Sequence, residues 1–355
     1  MNSLEAQLDY PFGETLPETG QTLQLAPGLH WLRMPLPFAL NHINLWLLED
    51  GGQSGADQPG DGQPGYCIID CGIANDATRA AWQQIFASHA PIKRVLATHC
   101  HPDHVGNADW LCQQWQVPLW MSGGEYAFAR IMSAGLPGAD GVAALPHFQR
   151  HGLLDPALLE QMQSRKNYYP SLVPAVPLAY TRLCDGQLIT IGRYQWRVIT
   201  GFGHSPEHVA LYCAALGVLI SGDMVLPRIS TNVSVFAIEP DGDPLQQYLA
   251  SLDKFADLPS DTLVLPSHGK PFRGLATRID QLREHHVARL NEVMQACHEP
   301  QSAADIVPVL FPRALDAHQR SFAMGEALAH LHLLWHEKKL CRTIGSDGVI
   351  RYQKL

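Results

Sequence analysis

Up to about residue 270, short apolar runs alternate with helical patterns, and the breaks between them are rich in Gly, Pro and Asp. Leu29 to Met34 and Ile43 to Glu49 have the β-branched and aromatic content of strands. The stretch from Gly51 to Gly65 is dominated by Gly, Pro, Asp and Gln, cannot pack a core, and predicts an exposed, mobile hairpin loop. Tyr66 to Asp70 follows as a short apolar strand that ends in Asp70-Cys71-Gly72. From Asp76 to Ser88 the apolar residues Ala77, Ala81, Ile85 and Phe86 fall on one helical face, and Ile92 to Thr98 is the next buried strand. Val105 to Gln116 repeats the helical period through Ala108, Leu111, Cys112 and Trp115, and Val117 to Met121 is again strand-like. Strand and helix alternating in this way predict an α/β unit that presents ligands from strand ends.

From Ser122 to Thr181 the pattern breaks into helical fragments interrupted by prolines and glycines, which predicts an insert acting as a lid or substrate loop. Strands resume at Leu188 to Ile191, Gln195 to Thr200, and in the pair Val209 to Ala214 and Val218 to Ser221, which reads as a buried hairpin. A helix at Leu245 to Phe255 and a strand at Thr262 to Pro266 close this half. Beyond Arg278 the chain becomes helical at Ile279 to His298, Ala303 to Leu310 and Phe322 to Lys338. It then reaches a hairpin around Gly345-Ser346-Asp347-Gly348. The division predicted is a catalytic unit over 1–277 and a small winged-helix unit over 278–355.

Composition narrows the class. At 355 residues with 46% hydrophobic side chains, the chain can bury a large core. A formal charge of −9 opposes phosphate backbones, and no apolar run reaches the roughly 18 residues that span a bilayer. Nucleic acid and membrane are therefore not expected partners, a small molecule is, and the oligomeric state is open. The acidic opening residues lack the pattern of a secretory signal, so a cytoplasmic location is expected. The eight cysteines form no C-x-x-C pair and read as reduced thiols.

Histidine is in excess, with 18 residues, and the densest cluster is His99-Cys100-His101-Pro102-Asp103-His104, directly after the strand Ile92 to Thr98. Histidines two apart face the same side of an extended chain, so His99 and His101 can grip one ion while Cys100 faces away. Asp103 and His104, beyond the proline bend, can address a second. Three further ligand types stand at later strand ends: His204 in Gly203-His204-Ser205, Asp223 in Gly222-Asp223, and His268 in Ser267-His268-Gly269. Their Gly and Pro neighbours allow the sharp turns needed to converge.

This H-x-H-x-D-H signature, followed by Gly-x-His, Gly-Asp and Ser-His-Gly, resembles the metallo-β-lactamase superfamily over about Leu29 to Pro271. The resemblance implies an αββα sandwich with two metal ions at one edge. It implies further that His99, His101 and His204 bind the first ion, Asp103, His104 and His268 the second, and Asp223 both. Asp70 matches the family's aspartate behind the metal ligands. An Asp at 223 is similar to hydrolases of the glyoxalase II kind rather than to true zinc β-lactamases. The tail resembles the appendage of a lactamase-β-like 2 subgroup.

The expected chemistry is hydrolysis of a small thioester or ester, of CoA or glutathione type, by a hydroxide held between two divalent ions. Asp103 and Asp223 are the expected catalytic carboxylates. Five His and two Asp make zinc the default metal, with iron and manganese compatible. Two alternatives share the fold: a phosphodiesterase acting on RNA, and a mononuclear-iron sulfur dioxygenase. The first is disfavoured by the tail, where 11 Lys and Arg stand against 9 Asp and Glu from Pro271 onward. That balance casts the tail as a packing and substrate-access module.

Arg165, Lys166, Tyr168 and Tyr169 form a basic and aromatic patch that is either a solvated turn or a contact to an anionic substrate. Arg228 and Arg273 follow ligand-bearing turns and are candidates for the same task. His208 reads as a structural histidine, His285 and His286 as a polar helix face, and Cys100 as inert packing.

Overall fold

The computed structural model describes residues 4–38, 40–51, 63–136, 144–163 and 168–355. The first half folds as β1 (Leu23–Ala26), β2 (Leu29–Pro35), β3 (His42–Glu49), β4 (Tyr66–Ile69), α1 (Asp76–Phe86), β5 (Ile92–Leu96), α2 (Pro102–Val105), α3 (Ala108–Trp115) and β6 (Leu119–Ser122). Then come α4 (Gly123–Ser133), α5 (Ala144–Arg150), α6 (Pro156–Gln163), α7 (Tyr168–Leu172) and β7 (Tyr180–Leu183). These strands form a seven-stranded sheet in chain order, antiparallel through β4 and parallel beyond it.

The second half gives β8 (Leu188–Ile191), β9 (Tyr194–Gly201), β10 (His208–Cys213), β11 (Val218–Gly222), α8 (Pro244–Leu252) and β12 (Leu263–Pro266), a five-stranded sheet of order β12-β11-β10-β9-β8. Helices α9 (Leu275–Ala296), α10 (Ala303–Leu310) and α11 (Ala317–His336) and the hairpin β13 (Leu340–Ile344) and β14 (Ile350–Lys354) complete the chain.

The layers follow from which faces are apolar. Between the two sheets lie Trp31, Trp46 and Ile69 from one side and Trp196, Val209, Leu211 and Ile220 from the other. Outside the first sheet, α1 and α3 pack through Trp82, Ile85 and Leu111. Outside the second, α8 and the tail helices share one cluster, in which Leu219 and Tyr248 meet Ile279, Leu282, Met324, Leu328 and Tyr352. The arrangement is the αββα sandwich, with a further helical layer that shares its core. Among the described residues no helix is long and apolar enough to cross a membrane.

Several elements differ from the sequence reading. The helix expected over Val105 to Gln116 is broken into α2 and α3, because the Asn107 side chain turns back to donate to the Ile73 carbonyl at 2.6 Å. A Cβ on Gly106 would also lie 2.5 Å from the Pro102 carbonyl oxygen. The described part of the expected lid is packed scaffold: Ala129, Val173 and Val176 join the core of the first sheet, and Phe148, Leu153 and Met162 pack with the tail. His286 is buried rather than on a polar face, with its ring against Tyr248 and 3.3 Å from His330. Of the expected mobile loop, residues 52–62 lie outside the described residues.

One buried side chain ties the two sheets together at the edge where the chemistry gathers. Asn44 on β3 accepts from Trp31 Nε1 at 3.0 Å and donates to the carbonyls of Pro266 and Gly269 at 2.8 and 2.9 Å. Its main-chain N–H also donates to Ser267 across the sandwich. Replacing Asn44 with Ala is expected to destabilise the fold by roughly 2–4 kcal/mol, since buried polar groups lose their partners. Chemical denaturation with an unchanged m-value would check this.

Candidate metal centre

Each ligand-type side chain leaves the end of a strand at this same edge. β5 delivers the turn carrying His99 and His101, and α2 opens on Pro102 so that Asp103 and His104 sit in its single turn. The loop after β9 carries His204, the end of β11 carries Asp223, and the loop after β12 carries His268. Gly222 has φ +54°, and a Cβ there would lie 2.4 Å from the His208 ring, so only glycine lets β11 turn into the site.

Seven side chains come together as two groups, His99, His101, His204 and Asp223 in one and Asp103, His104 and His268 in the other. The atoms define the pockets. His99 Nε2 lies 2.9 Å from His101 Nδ1 and 3.2 Å from His204 Nε2. His268 Nε2 is 3.4 Å from an Asp103 oxygen, and His104 Nε2 is 3.7 Å from the same carboxylate. Asp223 stands between them, one oxygen 3.5 Å from both His204 Nε2 and His268 Nε2, the other 3.7 Å from His104 Nε2. Two groups of ligand-type side chains thus stand side by side, with the Asp223 carboxylate between them.

The opposite edge of four of the five imidazoles is occupied, which fixes their tautomers. His104 Nδ1 meets Asp70 at 2.8 Å, His99 Nδ1 meets Thr98 Oγ1 at 3.0 Å, His204 Nδ1 donates to the Asn232 carbonyl at 2.7 Å, and His268 Nδ1 donates to the His42 carbonyl at 2.8 Å. In these four rings Nε2 is the nitrogen that faces the centre, and His101 turns its Nδ1 there instead. His104 Nε2 and Asp223 Oδ1 are buried with no hydrogen-bond partner. Unpartnered buried atoms among converging imidazole nitrogens and carboxylates fit a divalent cation.

Electrostatics agree. Burial, reinforced by neighbouring imidazoles, holds His99 far below the usual histidine range and brings His101 down to about 3, so both stay neutral donors. Burial alone would raise the carboxyls of Asp103 and Asp223. The imidazoles of His104 and His268 outweigh it, bringing Asp103 down to about 2 and Asp223 well below the usual range. His104 and His268 are displaced upward by the same carboxylates, against the effect of burial, His104 to about 9. Each therefore gives up a proton when it ligates a metal.

Other expected residues fall in different places. His208 is buried and accepts from the Asp223 N–H at 3.1 Å, which anchors the backbone behind that carboxylate. Tyr169 donates to the Cys100 carbonyl beneath the ligand turn, and Tyr168 packs against His318. Arg228 is exposed on the rim of a cavity that reaches His268. Arg273 is not part of that cavity wall and donates to the Asp261 carbonyl. Arg165 and Lys166 lie outside the described residues.

Glu125 escaped sequence reasoning. Buried at the start of α4, it accepts from Cys100 N–H at 2.8 Å, Ser205 Oγ at 2.5 Å and Glu207 N–H at 2.7 Å, clamping the His99–His101 turn to the His204 loop. Nothing local separates it from an ordinary acidic residue in the first turn of a helix.

Comparison with known proteins is consistent with this geometry. Residues 65–268 match the family model described as the metallo-beta-lactamase superfamily, and residues 290–355 match its metallo-beta-lactamase-like C-terminal domain. The chain belongs to the metallo-β-lactamase superfamily. It is 24% identical over 342 residues to the probable metallo-hydrolase YqjP of Bacillus subtilis, covering 87% of this chain and 92% of that one. It is 21% identical to the beta-lactamase-like protein 2 homolog of Caenorhabditis elegans, over 89% of this chain and 83% of that one. Among solved structures, a beta-lactamase domain protein from Burkholderia ambifaria superposes with a TM-score of 0.92 at 56% identity over all of both chains. The family protein TTHA1429 from Thermus thermophilus gives 0.77 at 28% identity, over 94% of this chain and 100% of that one.

Asp70→Asn is the sharpest test of the tautomer argument. The amide oxygen can keep the bond from Thr98, but an amide N–H facing His104 Nδ1 drives the imidazole proton to Nε2, where a ligand must be bare. Affinity for the second metal equivalent is expected to fall about 10–100-fold with the first retained. Metal content after dialysis against graded chelator would show it, and unchanged binding of both equivalents would refute it.

Proposed function

We propose that the protein is a metal-dependent hydrolase of small thioesters or esters whose acyl or thiol part carries an anionic handle, as CoA and glutathione thioesters do. The observation that carries this reading is a cavity of about 750 Å³ that has His268 in its wall together with Arg33 and Arg228. Arg33 is half-buried, and among the described residues neither guanidinium has an ion-pair partner, whereas the neighbouring Lys270 is matched by Glu14 at 2.7 Å. Leu16, Leu40 and Ile229 give the cavity an apolar side. Apolar surface beside free cations suits an acyl chain and a carboxylate or phosphate on one molecule.

Two divalent ions, zinc by default for five His and two Asp, would polarise the substrate carbonyl and supply a nucleophilic water near neutral pH. His99, His101 and His204 would hold the first, Asp103, His104 and His268 the second, and Asp223 would face both. Asp103, which stays ionised, is not a proton donor, and a thiolate leaving group needs none. The Arg33 guanidinium orients a remote anion, so binding energy far from the carbonyl positions it for attack. A cytoplasmic location goes with this reading, since none of the eight cysteines is paired.

The test is a hydrolysis screen across thioesters, lactones, phosphodiesters and β-lactams with metal analysis of the same sample. Two metals per chain and turnover of anionic thioesters are expected. Arg33→Ala should lower kcat/KM on these about 10–100-fold, the worth of a charge-assisted hydrogen bond, and leave a neutral, truncated thioester unaffected. Inert thioesters beside a cleaved phosphodiester or lactone would reject the substrate class, and a single iron would favour oxidation.

A further inference from the structure

The loop that follows Asp223 does more than link β11 to α8. Thr231 Oγ1 donates to the main-chain carbonyl of Asp223, and the next residue, Asn232, offers its own carbonyl to His204 Nδ1 at 2.7 Å. That carbonyl is the only group holding the outer edge of this imidazole among the described residues, so the position of Asn232 sets both the tautomer and the aim of His204.

What holds Asn232 is the tail. Its Nδ2 donates to Glu326 Oε2 on α11 at 3.3 Å, and its Oδ1 accepts from Ser234 Oγ at 2.9 Å. Burial pushes the Glu326 carboxyl up to about 7, and either protonation state leaves an oxygen to accept from Asn232. One residue earlier on the helix, the Gly325 carbonyl accepts from the Val235 N–H at 3.2 Å. Gly325 also lets the two backbones approach: a Cβ there would lie 2.6 Å from Ser234 Oγ and 2.7 Å from Ser234 Cβ, closer than side chains pack. Ser234 is itself buried and has little room to give.

We infer that α11 is a working part of the metal centre: Gly325 and Glu326 fix Asn232, and Asn232 fixes His204 as a ligand of the first ion. Glu326 and Gly325 are positioning residues, reaching the ion only through Asn232 and His204. The inference holds for any substrate, and its test reads metal binding rather than turnover.

The full-length metal-free protein is titrated with Zn²⁺ against a chromophoric chelator and, separately, with Co²⁺ while its visible absorption is recorded. Glu326→Ala and Gly325→Ala are each expected to weaken one of the two metal equivalents about 10–100-fold and to alter that equivalent's cobalt spectrum, leaving the other in place. Glu326→Gln, which keeps an acceptor for Asn232, should restore wild-type binding. Should Gly325→Ala fail to fold, Glu326→Ala decides, because it removes no apolar core side chain. Wild-type affinities and spectra in a folded Glu326→Ala protein would overturn the inference. Equal loss of both equivalents, or a Glu326→Gln protein as impaired as Glu326→Ala, would also overturn it, since either would mark a general structural defect.

Discussion

The Asp70 carboxylate is the interaction on which the site depends. It sits at the end of β4 with φ +63°, a conformation that costs a non-glycine residue on the order of 1 kcal/mol or more. Only the contacts it makes there justify that cost. It is fully buried, accepts from Thr98 N–H at 2.7 Å and from Thr98 Oγ1, and holds His104 Nδ1 at 2.8 Å. The same Thr98 hydroxyl meets His99 Nδ1, and its main-chain carbonyl accepts from Val209 across the sandwich. One carboxylate thereby orients side chains of both ligand-type groups and ties their turn to a residue that also bridges to the second sheet.

Around this anchor the centre is made of loops, and loops are only as exact as what grips them. Asn44 grips the His268 loop, Glu125 grips the loops of His99 and His204 against each other, and His208 grips the backbone of Asp223. All three are buried polar side chains. Asn44 and Glu125 cross between segments far apart in sequence and join the two sheets, so the site can be built only once both sheets have met.

That crossing explains what could be read in advance. The His and Asp cluster was legible because metal chemistry restricts residue type, and its seven side chains stood at strand ends. The strands of the central sheets were legible from apolar runs such as Val209 to Ala214. β1 and β7 were not, being short edge strands only partly buried. Glu125, Asn44 and Glu326 were not either: a carboxylate or amide carries no local mark of a partner contributed by a distant segment. The break between α2 and α3 was hidden because Asn107 bonds outward, to Ile73, rather than along its own helix.

The apolar cluster that joins Leu219 and Tyr248 to Met324 and Tyr352 has a consequence in time. As the chain is synthesised, every presumptive ligand has emerged once His268 is made, yet the second sheet still lacks the outer layer that α9, α11 and the hairpin supply. Until those segments arrive, its outer face has only α8 to cover it and the loop after Asp223 lacks the wall that α11 supplies. A nascent chain at that stage would present a histidine-rich, half-covered surface to any cation or chaperone nearby. The wall behind the Asp223 loop is therefore completed only by residues made after every His and Asp of the cluster.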